Sequence, residues 1–171
     1  MLQMLRKRLH KTDDEGFTLI ELMVVVLIIA ILLAIAIPTF LGARSRAQNR
    51  AAQSNLRNAL TTEKTIYTDA QAYTATVATL TAAEPSLTWV TTAPASGNNV
   101  EVQAVANEVC LTAVSASGVT YYMVDVATAG TSTVAGTWFG ASDLTTPSTA
   151  PTCDGNTALA GFFNNSTAGF A

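Results

Sequence analysis

Beyond Lys64 the chain contains no lysine or arginine. Over that longer, distal part the charged side chains are all acids: Asp69, Glu84, Glu101, Glu108, Asp125, Asp143 and Asp154. The basic residues are crowded ahead of it, with Arg6, Lys7, Arg8 and Lys11 near the start and Arg44, Arg46, Arg50, Arg57 and Lys64 further on. An acidic distal part disfavours nucleic-acid binding there, because phosphate recognition needs clustered cations. The second basic group reads either as a solvated helix face or as a surface for an anionic partner. Histidine is almost absent. With His10 alone and two cysteines, Cys110 and Cys153, no zinc set can be assembled. There is no Ser/His/Asp arrangement and no glycine-rich phosphate loop after a strand, so neither catalysis nor a cofactor is expected. Asp125, Asp143 and Asp154 lack the D-x-D-x-D spacing of a calcium loop, and no metal site is expected.

What the chain has in excess is one long apolar run. Leu22 to Ile37 is sixteen apolar residues without a break, and Phe17 to Glu21 extends it to 21. About 20 residues suffice to cross a bilayer. The charge inside it is Glu21. An ionised side chain at the centre of a membrane helix costs about 2.5–3.5 kcal/mol on the insertion scale. A secretory signal would explain the preceding basic residues and the small-residue pattern Ala34-Ile35-Ala36. Its apolar region is usually only about 7–15 residues, however, and carries no glutamate. A plain single-pass anchor would explain the length but not Glu21, nor the interruption by Pro38 and Gly42.

A third reading accounts for all of these. Gly16-Phe17-Thr18-Leu19-Ile20-Glu21 resembles the processing and methylation motif of type IV pilins and their relatives. The resemblance implies a dedicated prepilin peptidase that cuts after Gly16 and methylates the new amino terminus, Phe17. Glu21 then holds the family's glutamate at the fifth mature position, and Pro38 matches the family's proline about two-thirds along the apolar segment. The likeness is close over residues 16–60 and general beyond them. Two features depart from the commonest pattern: the leader of 16 residues is long, and Asp13, Asp14 and Glu15 stand where many members have a basic residue. Four basic residues precede the apolar segment and three follow it closely, so charge alone does not orient it. A cytoplasmic leader rests on the resemblance and on the cysteine pair.

The physical roles expected of these residues follow from their chemistry. Cleavage would give Phe17 a free α-amine four residues from Glu21. If helices bundle in a dry core, an unpaired carboxylate is strongly unfavourable, whereas one paired with a neighbour's amine is tolerable and specifies register. An intramolecular pair would set no register. Pro38 removes a backbone hydrogen bond, and Gly42 adds about 1 kcal/mol against helix formation. Together they mark a weak point where a filament helix could melt and lengthen.

The expected organisation is a cleaved leader over 1–16, a hydrophobic transmembrane and assembly helix over 17–42, an amphipathic helix over 43–70 and a globular head over 71–171. One helix from Phe17 to Asp69 would be near 80 Å long at about 1.5 Å per residue. Its second half has an apolar face of Leu56, Ala59, Leu60, Ile66, Tyr67 and Ala70, opposite Arg50, Gln53, Arg57, Asn58 and Lys64. Residues 71–99 read as an irregular connection with a short strand at Leu87–Thr91. Strands are expected at Val100–Val105, Val109–Val114, Val119–Val126 and Thr133–Phe139, separated by turn residues. The fold class is α+β, a long helix covering one face of a four-stranded antiparallel sheet, as in pilins. Cys110 and Cys153, in an exported head, read as one disulfide clipping the tail to the sheet; two buried thiols are the alternative. Closing a loop of about 43 residues would stabilise the head by roughly 3–4 kcal/mol. Phe162 and Phe163 pack on the sheet or against a neighbouring subunit.

The function implied is a major pilin. It begins as a single-pass membrane precursor and becomes a helical homopolymer at the cell surface, serving adhesion, motility or DNA uptake. Its partners would be copies of itself, the peptidase and methyltransferase, the assembly platform and, indirectly, motor ATPases. Nucleic acid would be met only through the assembled filament. The alternatives are a pseudopilin of a type II secretion or competence system and a monomeric membrane-anchored binding domain.

Overall fold

The computed structural model describes residues 16–129, 134–143, 150–155 and 161–164. The leader up to residue 15, Thr133 at the expected start of the fourth main strand, and the last seven residues lie outside the described residues. The helix α1 runs from Leu19 to Ala70, 52 residues that include Pro38. Contacts divide the chain between Gly42 and Ala43. In the first unit, the large apolar side chains from Phe17 to Leu41 are exposed. Among the described residues of that unit nothing covers them, as expected for a helix whose surroundings are lipid or other helices.

The second unit has an ordinary core. Along α1 the buried residues are Ala52, Gln53, Leu56, Ala59, Thr62 and Glu63. Ala52, Leu56, Ala59 and Glu63 are spaced by 4, 3 and 4, the helical pattern for one face. The face is rotated from the expected one. Gln53, assigned from the sequence to the polar side, is buried, and Ala70 is exposed. The rotation follows from Thr62 and Glu63, which sit on the buried line although their polarity points the other way. The helix ends where Gln71 adopts φ of 55° and donates its N–H to Tyr67 O at 2.8 Å. Glycine is usual at this left-handed position. The Gln71 side-chain amide also donates, to Thr68 O at 3.2 Å.

The connection after α1 contains a short helix, α2 (Val77–Ala83), where the sequence predicts an irregular segment. Seven residues are too few to display a period, but Leu80 anchors the helix in the core with no exposure. The strands are β1 (Thr88–Val90), β2 (Asn99–Val105), β3 (Glu108–Val114), β4 (Thr120–Val126), β5 (Gly136–Ala141) and β6 (Phe163–Asn164). They form one sheet in chain order. The α+β class and the antiparallel meander of β2 to β5 stand, but the sheet is larger than four strands. At one edge β1 pairs parallel to β2, with Trp89 opposite Val100. At the other, the two-residue β6 pairs with β5. The fourth main strand begins at Gly136 and continues to Ala141, two residues past its expected end. Gly118, with φ of +93°, closes the β3–β4 turn by donating to Ser115 O at 2.9 Å.

The sheet is covered on both faces at its centre, where a single covered face was expected. Val109, Leu111, Ala113 and Met123 face the core that includes Leu56 and Ala59. Cys110, Tyr122, Val124 and Val126 face the other way, under Phe162 and Cys153. The disulfide and Phe162 bring the tail onto that second face. Phe162 is buried and Phe163 is exposed, so the two adjacent aromatics divide between core and surface.

Candidate functional site

The amino-terminal end of α1 carries the first group of site residues. Gly16 and Phe17 precede the helix, and Phe17 is 82% exposed. Thr18 and Glu21 are joined reciprocally. The Thr18 N–H and hydroxyl donate to Glu21 Oε2 at 2.8 and 2.6 Å, and the Glu21 N–H donates to Thr18 Oγ1 at 3.3 Å. This is a capping box: each side chain satisfies a backbone donor that the first helical turn leaves orphaned. The sequence reading treats Glu21 as lacking any partner before cleavage and gives Thr18 no role. The T-x-x-E spacing just before the apolar run is the available signal. Both bonds use Oε2, which leaves the lone pairs of Oε1 for a further donor.

Pro38 does not interrupt the helix. Its ring nitrogen cannot donate to the carbonyl four residues back. Nearby, the Thr39 hydroxyl donates to Ala36 O at 2.9 Å and Ile35 O at 3.2 Å. That hydroxyl supplies extra bonding in the turn that the proline weakens. Gly42 closes the first contact unit.

In the second unit, polar groups fasten α1 to the sheet. Lys64 Nζ lies 2.9 Å from Asp125 Oδ1 on β4, and Asp125 is almost fully buried. Thr137 on β5 donates to Asp125 Oδ1 at 2.5 Å, and Tyr73 OH donates to Oδ2. Burial, reinforced by the bond to Asp125, raises the Tyr73 phenol well above its ordinary range. Tyr73 also packs against Tyr67, with ring centroids 4.6 Å apart. Lys64 is thus engaged within its own head, and is not a free cation for a neighbour. Beside this network Glu63 has no exposure. Its Oε2 accepts the Thr74 N–H at 3.2 Å, while Oε1 accepts nothing from the described residues. Burial pushes its carboxyl up to about 7, against the opposing pull of the Thr74 N–H.

Cys110 and Cys153 are bonded, with Cα atoms 5.8 Å apart and a sequence separation of 43. The alternative of two thiols is therefore set aside. An oxygen of Glu108 lies within 4.8 Å of both sulfurs. With the sulfurs joined to each other, the trio offers no thiolate to a metal.

Residues 11–37 match the family described as the prokaryotic N-terminal methylation motif. That span contains Gly16, Phe17, Glu21 and the apolar run. The chain is 34% identical over 110 residues to the type IV wide pilus major component PilA4 of Thermus thermophilus, covering 64% of this chain and 80% of that one. It is 45% identical over 60 residues to the type IV major pilin protein PilA of Myxococcus xanthus, a match of 35% of this chain and 27% of that relative's length.

Proposed function

The chain belongs to the type IV pilin family, and on that premise we propose that its mature form, beginning at Phe17, is the major structural subunit of an extracellular pilus. Both relatives are named as major pilins or major pilus components, which favours this reading over a pseudopilin. The observation that carries it is the uncovered apolar surface from Phe17 to Leu41 in a chain whose second unit has a buried core of its own. Such a surface needs lipid in the precursor and other subunits in the product. The precursor is a membrane-anchored chain, and the assembled product lies at the cell surface. The prepilin peptidase cuts between Gly16 and Phe17 and methylates Phe17. An assembly platform and its motors extract the subunit. The filament serves attachment or movement, or meets nucleic acid as an assembled surface.

Glu21 is the residue on which assembly turns. Its Oε2 caps the helix that contains it, and its Oε1 takes the α-ammonium of a neighbouring Phe17. The cap positions the carboxylate, and the intersubunit pair fixes axial register. Pro38 and Gly42 are where that helix yields once it is held among its neighbours.

Two substitutions separate these roles in cells that express the full chain. Glu21→Ala removes cap and charge together. Glu21→Gln keeps an acceptor at the third helical position, which a capping box accepts, but cannot pair with an ammonium as an ion. Sheared filaments are weighed, and the released subunits are examined by mass spectrometry for cleavage after Gly16 and methylation of Phe17. The expectation is normal processing of both precursors, with filaments lost or disordered in both. Normal filaments from Glu21→Gln would reduce Glu21 to a helix cap and end the register argument.

A further inference from the structure

Where the apolar run of α1 ends, a basic segment begins that the chain itself does not neutralise. Arg44, Arg46 and Arg50 follow Leu41, the last exposed large apolar side chain of the helix. All three are exposed, and among the described residues none has a hydrogen-bond or ion-pair partner. Between Glu21 and Glu63 the sequence contains no Asp or Glu, so no acid stands one helical turn from any of them. Arg46 and Arg50 are instead one turn from each other, a spacing at which like charges destabilise a helix. At the same level Asn49 is turned to the head, where its Oδ1 accepts the Ser115 hydroxyl at 2.7 Å and the Ser117 hydroxyl at 2.5 Å.

The place of these residues along the helix says which anion they meet. At about 1.5 Å per residue, Arg44 stands about 4–5 Å of helix beyond Leu41, and Arg50 about 14 Å beyond it. A bilayer has about 30 Å of hydrocarbon and is about 40–45 Å thick with its headgroups, which leaves a polar layer of about 5–8 Å on each side. With the apolar run in hydrocarbon, Arg44 falls within that layer, Arg46 at its outer edge and Arg50 just past it. Helical side chains tilt toward the amino terminus, so all of these long side chains lean back toward the membrane and can snorkel to its surface. Lysine and arginine ordinarily gather on one flank of a span. Here Arg6, Lys7, Arg8 and Lys11 already occupy the other flank, so the arginines on this one need a separate reason. None is a lysine, and the planar guanidinium fits a phosphate with two parallel hydrogen bonds.

We propose that Arg44, Arg46 and Arg50 bind the phosphates of anionic phospholipids in the leaflet where the apolar segment leaves the membrane, before the subunit is assembled. The inference rests on insertion of that segment into a bilayer, part of the reading above, and not on the filament. A lipid with net negative charge, such as phosphatidylglycerol, offers an unneutralised phosphate. Phosphatidylcholine carries its own ammonium beside the phosphate and gains less. Basic residues next to a membrane helix attract anionic lipid in this way, and the attraction fades within a Debye length of the surface. An acidic head on a second copy is the competing partner. Lipid is favoured because the arginines begin three residues after Leu41, at headgroup depth. The contact fixes how deep the apolar segment sits, and it is broken when the subunit leaves the membrane.

The test uses the full chain reconstituted in phosphatidylcholine vesicles that contain a trace of spin-labelled phosphatidylglycerol or of spin-labelled phosphatidylcholine. Electron paramagnetic resonance reads the fraction of each lipid immobilised by the protein. The expected result is a several-fold preference for phosphatidylglycerol at low salt, reduced at about 1 M salt. The basic leader contributes equally to parent and variant, so the difference between them is decisive. Arg44→Gln, Arg46→Gln and Arg50→Gln together should lower the preference at least about twofold, and lysine at the same positions should keep most of it. Each single glutamine substitution should give part of the fall, so the result does not depend on the triple variant folding. An unchanged preference in the glutamine variants overturns the proposal. If those variants keep the preference but lose filaments in cells, the arginines serve a neighbouring subunit, and the proposal is likewise overturned. A parent chain that inserts without preferring phosphatidylglycerol overturns this proposal alone, whereas one that fails to insert overturns the membrane reading with it.

Discussion

The two halves of α1 have the same backbone geometry and opposite relations to water. Up to Leu41 the large apolar side chains are exposed. From Ala52 onward a line that includes Leu56 and Ala59 is buried in the core formed with the sheet. The first half is the more apolar, yet it has no core of its own. The second half has a core although Gln53, Thr62 and Glu63 sit within it. Burial inside a subunit is therefore decided by what the rest of the chain brings to the helix. The hydrophobic effect acts on both halves. For the second it is satisfied by folding, and for the first only by insertion into lipid or by assembly.

That contrast predicts that lesions separate into those that melt the head and those that stop assembly. After Glu21→Ala, which is expected to abolish or disorder filaments, the largest lesion is loss of the disulfide. Replacing Cys110 and Cys153 together by serine frees a 43-residue loop, and should lower the stability of the head by about 3–4 kcal/mol. Thermal unfolding of the detergent-solubilised chain measures this. The same variant should still insert into membranes with its first half helical, because no cysteine lies there. If membrane insertion fails as well, the two regions are not energetically separate and the comparison breaks.

Glu63 gives the next effect and has a defined sign. Its folded carboxyl titrates near 7, above the unfolded value of about 4.3. Between these values the folded head binds the proton more tightly than the unfolded chain. Stability contributed by neutral Glu63 is complete below the unfolded value and is lost as pH rises through about 7. The head should therefore melt several degrees lower at pH 8 than at pH 5, a difference on the order of 2 kcal/mol. Glu63→Gln should flatten that dependence. A melting temperature that rises over the same interval in the parent chain would show that Glu63 stays ionised in the core.

Much of this arrangement could be read from the residues, and the failures have physical causes. The apolar run, the Gly16-Phe17 motif, the place of Glu21 and the four central strands follow from length, spacing and alternation. The disulfide follows from two cysteines in an exported head. The missed elements depend on tertiary partners. β6 is two residues long and exists only because β5 offers an open edge. α2 is a single short helix held by Leu80. Glu63 has the polarity of an exposed helix residue, and only the loop at Thr74 supplies it a donor. Glu108 sits at the start of a strand, where composition suggests a solvated turn, yet the tail covers it. In each case a partner elsewhere in the chain decides what the local sequence does not.

The smallest effect is expected at Thr18, and it separates the two roles of Glu21 most finely. Thr18→Val removes the hydroxyl that both donates to Glu21 Oε2 and accepts from its N–H. The backbone N–H of Thr18 can still donate to the carboxylate, as it does at 2.8 Å. Loss of an N-cap side chain costs about 1 kcal/mol of helix stability. The variant keeps the charge of Glu21 and the whole exposed apolar face, so filaments should form in reduced amount with unaltered helical parameters. Glu21→Gln has the opposite lesion, with cap retained and charge lost. If Thr18→Val abolishes filaments as completely as Glu21→Gln, the cap and the intersubunit pair are one unit. A carboxylate that must first be held by Thr18 before it can receive a neighbour's amine would give that result. If Thr18→Val assembles normally, the charge alone sets register and the cap serves only the end of the helix.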